Sequence, residues 1–158
     1  MGLKRGRNQS PNKSLQERNE LLERYLEQLI QMSRDGAVTV VEGHKDAEAL
    51  RRIGVTGAIT CIKARRASLP DSINKLANMT SELILLTDFD RRGRELLGKM
   101  ARNLEQKGKP PNLHFWLKLN GLISNDIKDV EGMVSYLQNM RRQAVGDIQI
   151  DSGPTVSL

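Results

Sequence analysis

Residues 37–50 read AVTVVEGHKDAEAL and change from a strand pattern to a helix pattern at Glu42. The unbroken apolar run at 37–41 is typical of a strand buried on both faces of a parallel sheet. The helical pattern that follows ends at Gly54. Three more strand-like runs, separated by helical patterns, occupy 58–62, 83–87 and 113–119. We therefore predict an α/β domain whose mainly parallel, four-stranded sheet has helices on both faces.

The patterning divides the 158 residues into one domain with a segment at each end. We predict a disordered basic leader at 1–13, because the small, polar and charged residues there show no periodicity. We expect an N-terminal helix at 14–36, the domain itself at 37–142 and a weakly patterned tail at 143–158. The formal net charge is +6, and four basic residues and no acidic residue lie in the leader. Such a leader suits a polyanionic partner and is equally typical of a solubilising segment.

Composition excludes several classes of protein. The single cysteine, Cys61, excludes an internal disulfide framework and a zinc site built from several cysteines. No apolar run has the length of a membrane span, and no apolar segment follows the basic N-terminal residues to form a secretory signal. We therefore expect a cytoplasmic protein without a membrane partner. Aromatic residues make up only 3% of the chain, so stacking platforms for single strands are scarce.

Acidic residues follow two of the predicted strands at the points where the strands end. Glu42 and Gly43 follow the first strand, and Asp88, Asp90 and Gly93 follow the third. Ligands of open parallel sheets bind outside the carboxyl ends of the strands, and alternate spacing turns the two aspartates the same way. Crowded carboxylates repel one another without a cation, and their oxygens suit Mg²⁺, or alternatively Mn²⁺. We predict a metal site with both glycines allowing close approach of a ligand; the alternative is that the acids cap helices.

Basic residues lie close to these acids in the predicted sheet. Arginine side chains form forked hydrogen bonds with phosphates, and several arginines follow the second and third strands. A polyanionic substrate would therefore be bound by metal and arginine together. The alternative is that these arginines only form a solvent-exposed helix face. The candidate nucleic-acid contacts are Arg65, Arg66, Arg91, Arg92 and Arg94.

Two segments resemble the motifs of a known family. VVEGHKDAEAL at 40–50 resembles the first motif of the Toprim domain, the module shared by topoisomerases and primases. LILLTDFDRRGREL at 83–96 resembles the second motif, DxDxxG after an apolar strand. The resemblance implies that Glu42 is a general acid/base and that Asp88 and Asp90 hold Mg²⁺. It also implies a compact Rossmann-like sheet, which the strand and helix pattern predicts independently.

Within this family the chain resembles primases and the small ribonuclease that matures 5S ribosomal RNA. Topoisomerases resemble DxDxEGE, whereas Arg92 and Arg94 stand at the corresponding places here. Primases carry a KDPDE-like segment, and this chain has KDVE at 128–131. That partial match adds Lys128 and Asp129 to the candidate nucleic-acid-binding residues. Equally, Asp129 would be the cap of a helix.

These observations favour Mg²⁺-dependent phosphoryl transfer on nucleic acid, with DNA and RNA both as candidate substrates. The metal would stabilise charge on the phosphate, and Glu42 would move the proton. The alternative is a nucleic-acid-binding module that acts within a larger complex. A remote alternative is an aspartyl phosphatase of the haloacid-dehalogenase type, which also places DxD after a strand. We rank it low because those enzymes place their DxD after the first strand. In this chain the DxD segment comes after the third predicted strand and is followed by RRG.

Overall fold

A computed structural model describes residues 11–64 and 67–152 of the chain. Apolar runs of three or four residues form the strands, and longer amphipathic segments form the helices between them. In chain order the elements are α1 (Pro11–Arg34), β1 (Val38–Val41), α2 (His44–Ile53), β2 (Ile59–Cys61), a 3₁₀ turn (Ile62–Ala64), α3 (Leu69–Ala77), β3 (Leu83–Leu85), α4 (Arg91–Gln106), α5 (His114–Ile123) and α6 (Met133–Ser152).

The sheet is parallel and has the order β2-β1-β3, so β1 lies in its centre. Val40 pairs with Thr60 on one side and with Leu85 on the other. All four residues of β1 are buried, which shows that both faces of the sheet are covered. This arrangement confirms the predicted α/β class and places β1 beside β3. The carboxyl ends that carry Glu42 and Asp88 are therefore neighbours.

The fourth strand predicted at 113–119 is wrong, because this segment forms α5. Only Asn112, just before it, forms a bridge to β3, through Ile84. The buried residues of α5 recur at helical spacing: Phe115, Trp116, Leu119 and Ile123. Leu117, which a doubly covered strand would bury, is 58% exposed. The sheet described here therefore has three strands.

The two end helices also differ from their predicted limits. α1 begins at Pro11 rather than at residue 14, and proline suits a first helical turn because it needs no partner for an N–H. α6 continues through residues predicted as tail and reaches Ser152. Most of the predicted leader, residues 1–10, and the last six residues lie outside the described part of the chain.

The helices cover the sheet in two groups. α3 packs against α4, whereas α1 packs against α5 and α2 against α6. β2 and β3 lie on opposite sides of β1, so right-handed crossovers place α2 on one face and α3 and α4 on the other.

The guanidinium of Arg141 connects α6 to α1 by donating two hydrogen bonds to the Glu23 carboxylate, of 2.9 and 2.7 Å. None of the described helices combines the length and the apolar character that crossing a membrane requires.

Candidate metal and catalytic site

Glu42 occupies the carboxyl end of the central strand and is held from two sides. Its side chain is buried, with 6% of the residue exposed. Oε2 accepts a 2.8 Å hydrogen bond from the backbone N–H of Asp88, and Oε1 lies 3.1 Å from Nζ of Lys63. The backbone N–H of Lys63 also donates to the Glu42 carbonyl oxygen, at 2.9 Å. The sheet order therefore joins Glu42 directly to the segment that carries the two aspartates.

Asp88 lies at the end of β3 in a partly buried and strongly negative environment. Its Oδ1 accepts a 3.2 Å hydrogen bond from the backbone N–H of Val130. Burial, followed by the negative charges of Asp46 and Glu42, raises the pKa of the Asp88 carboxyl to about 6. The environment of Asp88 thus disfavours its charged form, and a nearby cation would relieve that cost.

Asp90 has a different role in the protein alone. Its Oδ1 accepts a 2.7 Å hydrogen bond from the backbone N–H of Gly93, which makes it the N-cap of α4. The capping interpretation is therefore correct for Asp90, whereas Asp88 bonds a distant loop instead. Phe89, between them, is buried, while both aspartates are more exposed. The alternation predicted from the DxD spacing is present, although each carboxylate contacts a different element.

The two site glycines differ in what surrounds them. A Cβ atom on Gly93 would overlap the carbonyl oxygen and carbon of Asp88. Gly93 therefore allows α4 to pack directly against the end of β3, and its close contact is with the protein rather than with a ligand. A Cβ on Gly43, the N-cap of α2, would meet no atom within 4 Å. The predicted approach of a ligand remains a prediction for Gly43.

The structure adds Asp46, in the first turn of α2, to the candidate site. It accepts a 3.1 Å hydrogen bond from the backbone N–H of Gly43, the N-cap of that helix. Burial, and then the charges of Glu42 and Asp129, raise the pKa of Asp46. Its position 42 residues before Asp88 in the sequence gave no signal of this proximity. The helix that starts at the end of β1 brings it there.

The loop that precedes α6 lies across the end of β3. The Phe89 N–H donates to the Lys128 carbonyl oxygen at 2.7 Å. Asp129 caps the next turn, because its Oδ1 accepts a 2.7 Å hydrogen bond from Gly132 N–H. The Lys128 ammonium donates to the Ser124 carbonyl oxygen near the end of α5. Asp129 therefore caps a turn that precedes α6 rather than the helix itself, and it also contributes its charge to the site.

The predicted arginines are not gathered at one point. Arg91 pairs with Glu95 at 3.2 Å and is fully solvated, and Arg94 lies over the Trp116 ring at 6.0 Å. Arg92 instead lines a cleft that also includes Lys63. The other two candidates, Arg65 and Arg66, lie outside the described residues.

The donors at this edge suit a hard divalent cation by their chemistry. Glu42, Asp88 and Asp90 offer only carboxylate oxygens, and burial, followed by the charges of Asp46 and Glu42, raises the pKa of Asp88. Over 11–64 and 67–152, however, no group of three or more His, Cys, Asp or Glu side chains is arranged to hold a metal ion. The carboxylates instead accept hydrogen bonds from the protein. At Asp88 and Asp90 these bonds go to Oδ1, and among the described residues no donor bonds Oδ2, which leaves that oxygen of each carboxylate for a cation.

Known proteins resemble this chain in sequence, and a solved structure resembles it in fold. A UPF0292 protein of Methanosarcina barkeri is 35% identical over 124 residues, which cover 78% of this chain and 85% of that protein. A UPF0292 protein of Pyrococcus horikoshii is 37% identical over 105 residues, covering 66% of this chain and 76% of that protein. A solved structure, a putative protein from Aquifex aeolicus, superposes with a TM-score of 0.56 at 27% identity, covering 70% of this chain and 95% of its own.

The match to a family is more specific than these names. A sequence model of the Toprim domain matches residues 37–118. The matched segment begins just before the strand that ends in Glu42 and contains the whole DxDxxG segment. Since the fold joins these two motifs at one edge of the sheet, the chain belongs to the Toprim domain family.

Proposed function

We propose that this protein carries out Mg²⁺-dependent phosphoryl transfer on nucleic acid, with strand cleavage as the simplest reaction. The observation that carries the proposal is the 2.8 Å hydrogen bond from Asp88 N–H to Glu42. It fixes a buried carboxylate beside the two aspartates that the family resemblance assigns to metal. The family supports a metal-dependent role connected with nucleic acid, and the choice of reaction is our proposal.

Asp88 and Asp90 would hold the metal. Mg²⁺, when bound, stabilises negative charge that develops on phosphoryl oxygens. The raised pKa of Asp88 supports this assignment, because a carboxyl crowded by Asp46 and Glu42 gains from a cation. Asp90 would offer Oδ2 to the ion, since its Oδ1 accepts the capping bond from Gly93.

Glu42 would move the proton. Its Oε2 is fixed by Asp88 N–H, which leaves Oε1 as the atom that faces Lys63. The Lys63 side chain is 52% exposed, so it can move aside without unpacking the core. Oε1 would then accept a proton from an attacking water as the water oxygen bonds phosphorus and the bond to the leaving oxygen breaks. Until then, Lys63 orients the carboxylate.

A second function is favoured by the hydrogen bonds themselves. Glu42, Asp88 and Asp90 each already accept a bond from the protein. A site that stays in this arrangement would bind nucleic acid without reacting, as a module of a larger complex.

A cleavage screen separates the two functions. Structured RNAs and DNAs are incubated with Mg²⁺ or Mn²⁺ and the full chain, and products are resolved by length. Glu42→Gln keeps the acceptor for Asp88 N–H but removes the base, so we expect cleavage to be lost. Glu48→Gln, on the exposed side of α2, should cleave like the wild type. Binding without cleavage by the wild type under every condition would reject the enzyme and favour the module.

A further inference from the structure

A groove runs away from the candidate site between α3 and α4. A cleft of about 540 Å³ opens beside Lys63 and is bordered by Leu69, Arg92, Leu96 and Lys99. A second cavity of about 240 Å³ shares Leu69 and Lys99 with the first and continues towards Lys107. Because they share two lining residues, the two cavities form one groove, which we call the α3–α4 groove. Lys63 connects it to Glu42.

Three basic residues and one asparagine follow one side of this groove at helical spacing. Arg92, Lys99, Asn103 and Lys107 are spaced by seven, four and four residues, which places them on one face of α4. At 1.5 Å per residue the row is about 22 Å long. A row of that length contacts several phosphates in succession rather than one.

These cations are available for a ligand. Within the described part of the chain, no carboxylate lies within ion-pair distance of Arg92, Lys99 or Lys107. The one acidic lining residue, Glu95, already pairs with Arg91. Cations that line a concave surface without partners attract a polyanion, and its binding would release their counterions.

The floor of the groove is aliphatic. Ile62, Leu69, Leu96 and Ile73 line it, together with Pro70. A duplex presents phosphates outwards and would leave this surface unused, whereas a single strand can turn its bases onto it. Among the residues that the structure describes, none that lines either cavity is aromatic, so phosphate contacts would supply most of the affinity and base stacking little.

We propose that the α3–α4 groove binds a single strand of nucleic acid that continues from the candidate site, with phosphates on the α4 row and bases against the aliphatic floor. The choice of nucleic acid as ligand rests on the proposed function. The groove itself rests on the placement of Lys63, Arg92, Lys99 and Lys107.

Binding is measured by fluorescence anisotropy with labelled oligothymidylate and oligouridylate of roughly 12 nucleotides, a length within known single-strand footprints. A chelator is present, so no metal-dependent cleavage occurs. For single strands log K falls by about 0.7 per log unit of salt for each phosphate neutralised. We expect Arg92→Gln to lower that slope by about 0.7 and Arg92→Gln with Lys99→Gln to lower it by about 1.4. Arg102→Gln, on the same helix outside the groove, should match the wild type.

A second pair of variants tests the first cavity by placing a negative charge at its border. Ala67 borders the first cavity and is exposed, so Ala67→Asp adds a negative charge there without disturbing the core. We expect it to weaken binding several-fold, and Ala144→Asp, at an exposed position of α6, to have no effect. Thermal melts check that all variants are folded.

Three results would overturn the inference: an equal loss for Arg102→Gln, binding of a matched duplex as tight as that of the single strand, or displacement of the strand by polyglutamate at equal charge. The last would indicate a surface for acidic proteins. Groove-dependent binding without cleavage in the screen would reject the enzyme and retain the groove. Cleavage that is unaffected by groove variants would retain the enzyme and reject the groove.

Discussion

The backbone N–H of Asp88 donates a 2.8 Å hydrogen bond to Oε2 of Glu42, 46 positions earlier in the chain. This bond exists because β3 lies directly beside β1. It turns two strand ends into one site, with Asp46 and Asp129 contributing further negative charge.

Metal should stabilise the fold. Binding of Mg²⁺ or Mn²⁺ to the folded state alone raises the melting temperature by mass action, so millimolar metal should shift the wild-type melt upwards. Asp88→Asn should lose most of that shift and be no less stable without metal, because one repelling charge has gone while Oδ1 can still accept from Val130. Asp35→Asn serves as the control, because Asp35 is exposed and precedes β1, at the end of the strand opposite to Glu42. A wild-type melting temperature that is the same with and without metal would contradict a preformed site.

The same carboxyl should make stability depend on pH. The folded pKa of Asp88, about 6, lies above its ordinary value of 3.8, so the folded state binds more protons between these values. Its contribution therefore favours folding at low pH and is lost as pH rises from about 4 to about 6. Urea unfolding at several pH values should show that the free-energy difference between wild type and Asp88→Asn changes across this window. A constant difference would show that the Asp88 pKa is ordinary.

Asp90 should combine a cap with a metal ligand. Asp90→Ala removes the acceptor for Gly93 N–H and should cost about 1 kcal/mol of unfolding free energy without metal. Asp90→Asn keeps an acceptor oxygen, so most of that stability should remain while the metal-induced shift of the melt falls. Equal metal shifts in Asp90→Asn and wild type would leave Asp90 as a cap alone.

The two site glycines should differ sharply on substitution. Gly93→Ala places a Cβ against the Asp88 carbonyl. We expect it to lower the free energy of unfolding by about 1–3 kcal/mol or more, the usual cost of overpacking. Gly43→Ala meets open space at a backbone conformation open to any residue, and should cost less than about 1 kcal/mol. Chemical unfolding of both variants measures this, and a similar loss in the two would disprove the close packing of α4 on β3.

The basic leader should contribute to the salt dependence of nucleic-acid binding. Deleting residues 1–10 removes three basic residues and leaves α1 intact from Pro11. If these residues contact phosphates, the slope of log K against log salt should become shallower, by about 0.9 per lost contact on duplex DNA. An unchanged slope would show that the leader is only a solubilising segment.

Local sequence was sufficient for the parts of this protein that depend on neighbouring residues. The period of apolar residues predicted β1, α2 and α4, and the glycines after them marked their ends. Glu42 and the DxD pair stood at strand ends, where open parallel sheets bind ligands. The parallel class followed from the alternation of strands and helices.

Tertiary structure decided what local pattern leaves ambiguous. The run at 113–119 fits a buried strand or a buried helix equally in its apolar residues, and packing against α1 and β3 made it α5. Asp46, Lys63 and Val130 joined the site only because the sheet order and the loop before α6 bring them to Glu42 and Asp88. Such contacts depend on residues tens of positions apart, and no local period encodes them. The physical reason is that a carboxylate takes whichever donor the folded backbone presents, so Asp90 caps α4 while Asp88 bonds a distant loop.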